Sequence, residues 1–378
     1  MHPKHHAPSL SALCALLLVI LLGGCAGGLS FGPGKLAPSR MDYNRAIQRS
    51  NNEEMLLNLV RMKYFEQPLF LQVGSVASSF SFNIAGGVSA TLPDHRSLEN
   101  GVYNTYTPNV SGQYSDSPTV TYTAYQGQTY AQQFLAEMDF DRFVMLYKAG
   151  WDIEYLMPIL FVRFGAIDHG YDARNGFAAE QHSRFKSLTE ILARMDDRGD
   201  LDILKVNLSD NSTATVMSME FHNATEAGTV QSLLGYDLHV MMNTAGHYYS
   251  TFRLVPTSTL GHAPKDADGL PAVPLRLRNC LRAMDYVAQG VEVPKNNLAR
   301  RMAFDMRQHF LKLCDIRVSE SEPPESYLAV RHEKHWYYIR TEDNVSKEVF
   351  QLILNIFSLQ SADPPKSAPV LTLPVGGG

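Results

Sequence analysis

Val76-Ala-Ser-Ser-Phe-Ser-Phe-Asn-Ile-Ala-Gly-Gly-Val-Ser-Ala-Thr-Leu92 alternates in character along most of its length. Its even positions carry Val76, Ser78, Phe80, Phe82, Ile84, Gly86, Val88, Ala90 and Leu92 and are mostly apolar, and its odd positions are small or polar. A period of two is the signature of a strand with one apolar face. A second alternating run covers Val102 to Thr123, with Val102, Tyr106, Val110, Tyr114, Val120 and Tyr122 on even positions. Serine, threonine, asparagine and glutamine fill most of its odd positions. Between the runs, Pro93 to Gly101 holds Asp94, His95, Arg96 and Glu99 and reads as a charged loop. The expected unit is a long amphipathic β-hairpin over residues 76–123. At about 3.3 Å per residue its first arm extends roughly 55 Å, whereas a membrane strand needs only about 9–11 residues. Two destinations follow. In one, several copies close a membrane barrel, because a lone hairpin leaves unpaired edges that lipid does not tolerate. In the other, a soluble sheet packs its apolar face onto the body. Pro108 and Pro118 lack an N–H and are expected to interrupt the second arm or hold it at an edge. Gly86-Gly87 weakens the first arm, and these residues favour the soluble sheet.

Working outward, the pattern is mixed. Apolar residues recur at helical spacing over 42–65, 128–148, 152–164, 184–195, 275–289, 298–313 and 346–359. Strand signals lie over 202–208 and 213–221, around the turn residues Ser209-Asp210-Asn211-Ser212, and over 248–255, 326–340 and 370–375. Helices and strands do not alternate strictly, which predicts an α+β fold with antiparallel sheet. The chain has 378 residues, 45% apolar and 19% charged, which suits a folded protein. A net charge of -5 argues against a nucleic-acid partner. No run of 18 apolar residues follows position 30, so the body is not expected to be a helical membrane protein.

The N-terminus reads as an address. Leu13 to Leu22 is a ten-residue apolar core, too short for a spanning helix and suited to a signal sequence. It runs into Leu22-Gly23-Gly24-Cys25, which resembles the lipobox of Gram-negative bacterial lipoproteins. The resemblance implies cleavage after residue 24 and lipidation of Cys25, including palmitate. Buried acyl chains contribute about 0.8 kcal/mol per methylene, enough together for a firm anchor. Ala26, not aspartate, follows the cysteine, and by the same resemblance implies export to the outer membrane, with the body facing the periplasm. Residues 25–41 then read as a flexible tether and 42–376 as the periplasmic body. Leu56 to Arg61 with Pro68, Pro118 to Tyr122, Val291 to Pro294, Trp336 to Ile339 and Pro369 to Pro374 resemble a group of proteobacterial lipoproteins. That resemblance implies no activity.

Catalytic patterns are sparse. Ser183-Arg-Phe-Lys186 and Ser209-Asp210-Asn211 match two motifs of serine β-lactamases, but no K-T-G follows and the second sits at a turn. His332-Glu333-Lys334-His335 spaces its histidines three apart in an expected strand, which sends them to opposite faces. No metal site and no cofactor motif emerges. Cys280 and Cys314 form an even pair for an oxidising compartment, either bridged or as two buried thiols. Trp336 and Tyr338 share one strand face and form either a ligand platform or ordinary packing. His222, Asp237, His239 and His247 are the scattered polar groups an envelope hydrolase would draw on. The leading expectation is a non-enzymatic outer-membrane lipoprotein in scaffolding, assembly or transport, with envelope proteins or its own copies as partners. The alternatives are an oligomeric pore built from the 76–123 hairpin, and an envelope hydrolase or ligand-binding module.

Overall fold

The computed structural model describes residues 33–91, 105–172, 176–208, 213–256, 269–310, 313–361 and 371–374. The chain divides into two compact units, Met1–Glu53 and Glu54–Gly378. The second is an α+β fold. In chain order the elements are α1 (Pro33–Lys63), β1 (Leu71–Thr91), β2 (Thr105–Ala124), α2 (Phe140–Lys148), α3 (Ile153–Leu160), β3 (Phe161–Phe164) and β4 (Ile167–Asp168). They continue with α4 (Ala179–Asp197), β5 (Leu201–Asn207), β6 (Thr213–Phe221), α5 (Ala224–Leu234), β7 (Met241–Met242) and β8 (Tyr248–Pro256). The last are β9 (Ala272–Leu277), α6 (Cys280–Ala288), α7 (Lys295–Ala299), β10 (Arg317–Ser319), β11 (Ser326–His332), β12 (His335–Arg340), α8 (Asn344–Gln360) and β13 (Leu371–Pro374).

The body is built on a sheet ordered β4-β3-β9-β8-β6-β5, with β7 against β8. Its strands form because their side chains alternate: Ser250, Phe252 and Leu254 of β8 are buried, as are Met217, Met219 and Phe221 of β6. Phe185, Leu188, Leu192 and Met195 of α4 recur every three or four residues and bury one stripe in the same core. Val349, Phe350, Ile353 and Ile356 do the same for α8. Each such side chain contributes about 1.5–3 kcal/mol on burial. Five helices start on a side-chain cap. Asp139, Asp152, Asn223, Asn279 and Asp343 each accept a backbone N–H two or three residues on. Such caps are worth about 1 kcal/mol each. A second, three-stranded sheet is ordered β10-β12-β11, and a third contains β1, β2 and β13.

Several expected elements differ. The helix expected over 128–148 is two pieces. The first ends at Leu135, Ala136 turns extended, and the Asp139 cap restarts the chain as α2. The break is set by the sheet, since the Leu277 N–H donates to Glu137 and the Met138 N–H to the Arg278 carbonyl. The helix expected over 152–164 stops at Leu160, because Phe164 is drawn into pairing with Leu275. For the same reason residues 275–277 are strand, and helix begins only at Cys280 after its Asn279 cap. In the stretch expected as helix over 298–313, the described residues up to 310 are mostly irregular: α7 ends at Ala299 and Arg301 takes a positive φ of 56°. Finally, α1 reaches back to Pro33, inside the stretch read as a tether. Proline suits a first helical position, where its missing N–H has no partner to lose.

Candidate functional site: a seated hairpin and a histidine cavity

The hairpin ladder is continuous. Leu71 pairs with Ala124 at its foot and Thr91 with Thr105 at its far described end, with one register shift between Val73 and Ser75. The charged loop expected over 93–101 lies outside the described residues. The expected interruption at the prolines does not occur: Ser78 pairs with Pro118 and Val88 with Pro108, and the strand runs through both. The two prolines are ten residues apart, so both take the same kind of position in the ladder. A proline is tolerated where its missing N–H would have pointed away from the partner strand. β13 covers the outer side of β2 only from Thr119 to Tyr122. From Thr105 to Pro118 no other described strand pairs with that side.

The foot of the hairpin is set deep in the body. Phe70, which precedes β1, and Tyr125, which follows β2, are buried, and the Tyr125 N–H donates to the Phe70 carbonyl at 3.1 Å. Phe134 and Phe357 complete an aromatic cluster. Phe134 stacks on Phe357 at 5.2 Å, Phe70 lies 4.8 Å from Phe357, and Tyr125 meets Phe134 edge-on at 5.3 Å. Such pairs add about 0.5–1.5 kcal/mol beyond burial. Helix α1 clamps the same point. Buried Asn58 donates to the Leu69 carbonyl at 2.6 Å and accepts the Leu69 N–H at 3.1 Å. Glu54 accepts the Leu71 N–H at 2.9 Å. Burial pushes the Glu54 carboxyl up to about 7, against the lowering effect of that hydrogen bond and of Arg61.

A cavity of about 380 Å³ lies between α3, α4 and α6. His169, just after β4, lines it. The residue is 1% exposed, and neither ring nitrogen has a hydrogen-bond partner among the described residues. Tyr286 stands edge-on to it at 4.8 Å, Phe185 lies at 4.7 Å and His182 at 5.2 Å. His182 donates from Nδ1 to the His169 carbonyl at 3.3 Å. Phe177 stacks on His309 at 4.2 Å on another wall. Burial, with help from Arg278 and His182, holds the His169 imidazole well below the ordinary histidine range. Behind it, Arg278 is buried under the Tyr286 ring and donates to the carbonyls of Pro158 and Phe161. Burial lowers its guanidinium to about 10.

The residues singled out from sequence scatter. Cys25 and Ser209-Asp210-Asn211 lie outside the described residues. Ser183 and Lys186 both line the cavity, on an exposed turn of α4, with Lys186 3.7 Å from Glu190. Cys280 and Cys314 are free, buried thiols, one opening α6 and the other just before β10. Burial pushes both up to about 12. Trp336 and Tyr338 are half-buried in β12, the middle strand of its sheet, while Tyr337 between them is buried with its hydroxyl 2.7 Å from that of Tyr64. His332 and His335 do not sit on opposite faces of one strand. They pair across a two-residue turn in which Glu333 takes a φ of 51°. His332 contacts Glu66 at 3.1 Å and stacks on Tyr64. His222, Asp237, His239 and His247 are exposed, and none lines the cavity. No group of three metal-ligating side chains occurs among the described residues. No described helix is long and apolar enough to cross a membrane. Comparison of the chain with protein-family models, with curated proteins and with solved structures gives no match.

Proposed function

We propose that this protein is an outer-membrane lipoprotein, anchored through Cys25 with its body in the periplasm, and that it serves assembly or transport without catalysis. Its working element is the hairpin, several copies of which close into a barrel. One observation carries this reading: the ladder is unbroken from Leu71–Ala124 to Thr91–Thr105, through both prolines. The strands are then about twice the length a membrane crossing needs. In a ring, the Thr105–Pro118 edge of β2 that β13 leaves uncovered meets β1 of the next copy antiparallel, a seam without donors at Pro108 and Pro118 and with an even strand number, as in bacterial outer-membrane barrels. Head-to-tail contact of this kind closes when the rotation per copy completes a circle. The even positions, Phe80, Phe82, Ile84 and Val88, are the face assigned to lipid, although the register sets Asp116 opposite Phe80 on it, and the serines and Asn83 are assigned to water.

The experiment is the size and conductance of the particle extracted in mild detergent. It is compared with a variant in which residues 78–118 are replaced by Asn-Gly, so that the paired residues Ala77 and Thr119 flank a tight turn. The full chain is expected as a ring of many copies that conducts in planar bilayers, and the short-hairpin variant as a folded, non-conducting monomer. A full chain that is itself monomeric and silent refutes the pore. Unchanged fatty-acid labelling of Cys25→Ser refutes the anchor.

A further inference from the structure

We propose that the cavity between α3, α4 and α6 is a binding site for a small organic acid, a carboxylate on a short aromatic or aliphatic body, whose head is received by His169. The space is of the right order, since sites for small organic ligands run from about 300 to 1,000 Å³. Its inner walls are rings: Tyr286, Phe185 and Phe177 give an apolar body flat surfaces to lie against.

The head group follows from what the buried polar atoms lack. Buried imidazole nitrogens are almost always hydrogen-bonded, and a pair left bare asks for a missing partner. His169 has two such atoms. The charge around it is predominantly positive. Arg278 lies behind it, makes no ion pair among the described residues and hydrogen-bonds only neutral carbonyls. His182 and Lys186 come from α4, and His309 from the segment before β10. On α6 the Tyr286 ring lines the cavity, and the neighbouring Asp285 accepts the Tyr171 hydroxyl at 2.9 Å. Two more carboxylates, Glu154 and Glu190, are on exposed turns of the cavity wall, the second beside Lys186. Nothing negative is hydrogen-bonded to His169. Burial is the main cause that holds His169 and His182 low, and Arg278, Lys186 and His309 add a smaller positive contribution that favours an anion beside them. A carboxylate entering beside His169 accepts its N–H and favours the protonated ring, so binding takes up a proton.

This inference does not depend on the hairpin, and its test leaves the hairpin untouched. The mature full chain in detergent is titrated calorimetrically with benzoate, 4-phenylbutyrate and octanoate, with benzamide as the neutral counterpart of benzoate and micelles alone as blank. At least one acid is expected to bind with a dissociation constant below about 1 mM at pH 6, weakening at least fivefold at pH 8. Benzamide is expected at least tenfold weaker than benzoate. His169→Phe should abolish the pH dependence. Ser183→Trp, at an exposed position on the cavity wall, should block binding without altering the melting temperature. The proposal is overturned if none of the acids binds, if benzamide binds as well as benzoate, if affinity is flat with pH, or if Ser183→Trp binds like the parent.

Discussion

Asn58 holds Leu69 from both sides: its side-chain amide donates to the Leu69 carbonyl and accepts the Leu69 N–H, in a part of α1 with no solvent access. Leu69 is two residues ahead of β1, so this side chain, together with Glu54 on the Leu71 N–H, holds the point at which the hairpin leaves the body. Replacing it with an apolar residue of similar size leaves two backbone groups without partners. An unmet group costs about 1–3 kcal/mol when buried and less at Leu69, which is 44% exposed. Asn58→Leu is therefore expected to lower unfolding stability by about 1–2 kcal/mol in urea titration. A loss below about 0.5 kcal/mol would show that the clamp is idle.

Glu54 makes the seat pH-dependent. Its carboxyl titrates near 7 in the folded chain against an ordinary value of 4.5. The folded state therefore holds the extra proton between those values. The stabilisation is complete below pH 4.5 and is lost as pH rises through 7. Glu54→Gln removes this contribution and keeps a side-chain acceptor for Leu71. It is expected to be more stable than the parent at pH 8 by about 1–2 kcal/mol, discounted for partial exposure, and no more stable at pH 4.5. Parallel denaturation curves at the two values check this. An equal effect at both would remove Glu54 as the titrating group.

The thiols give a chemical check on the core. Cys280 and Cys314 are buried and free, with both thiols pushed to about 12. The native mature chain should not react with a thiol reagent at pH 8. Two equivalents should react once it is unfolded in guanidinium without reductant, and gel mobility should be the same with and without reductant. Two thiols that appear only after reduction would mean a bridge.

The elements legible in the sequence are those whose pattern is settled locally. The alternation over 76–92 needs no partner to be read, and the stripe Val349, Phe350, Ile353 and Ile356 defines one side of α8 by itself. What the sequence hid was decided at a distance. Residues 161–164 and 272–277 are too short and too apolar to distinguish strand from buried helix, and their mutual pairing settles the matter. Pro108 and Pro118 looked like breaks because proline removes a donor. The signal available was their even separation, which lets both avoid the bonded side of one ladder. The cavity had no motif at all. His169 and His182 are thirteen residues apart, and His309 and Tyr286 arrive from distant segments, so only the folded chain brings them together. Ser183 and Lys186 were noticed for a chemistry they do not complete, yet they lie on the wall of that cavity.

The most direct test of the account places single cysteines at neighbouring hairpin positions, Ser81→Cys, Phe82→Cys, Asn83→Cys and Ile84→Cys, in a chain carrying Cys280→Ala and Cys314→Ala. Isolated outer membranes are treated in parallel with a lipid-soluble and a charged, water-soluble maleimide. The account predicts alternation: positions 82 and 84 label only from the lipid phase, 81 and 83 only from water, all within an SDS-resistant oligomer. If all four positions label alike in a monomeric protein, or none is reached from lipid, the hairpin does not line a membrane barrel.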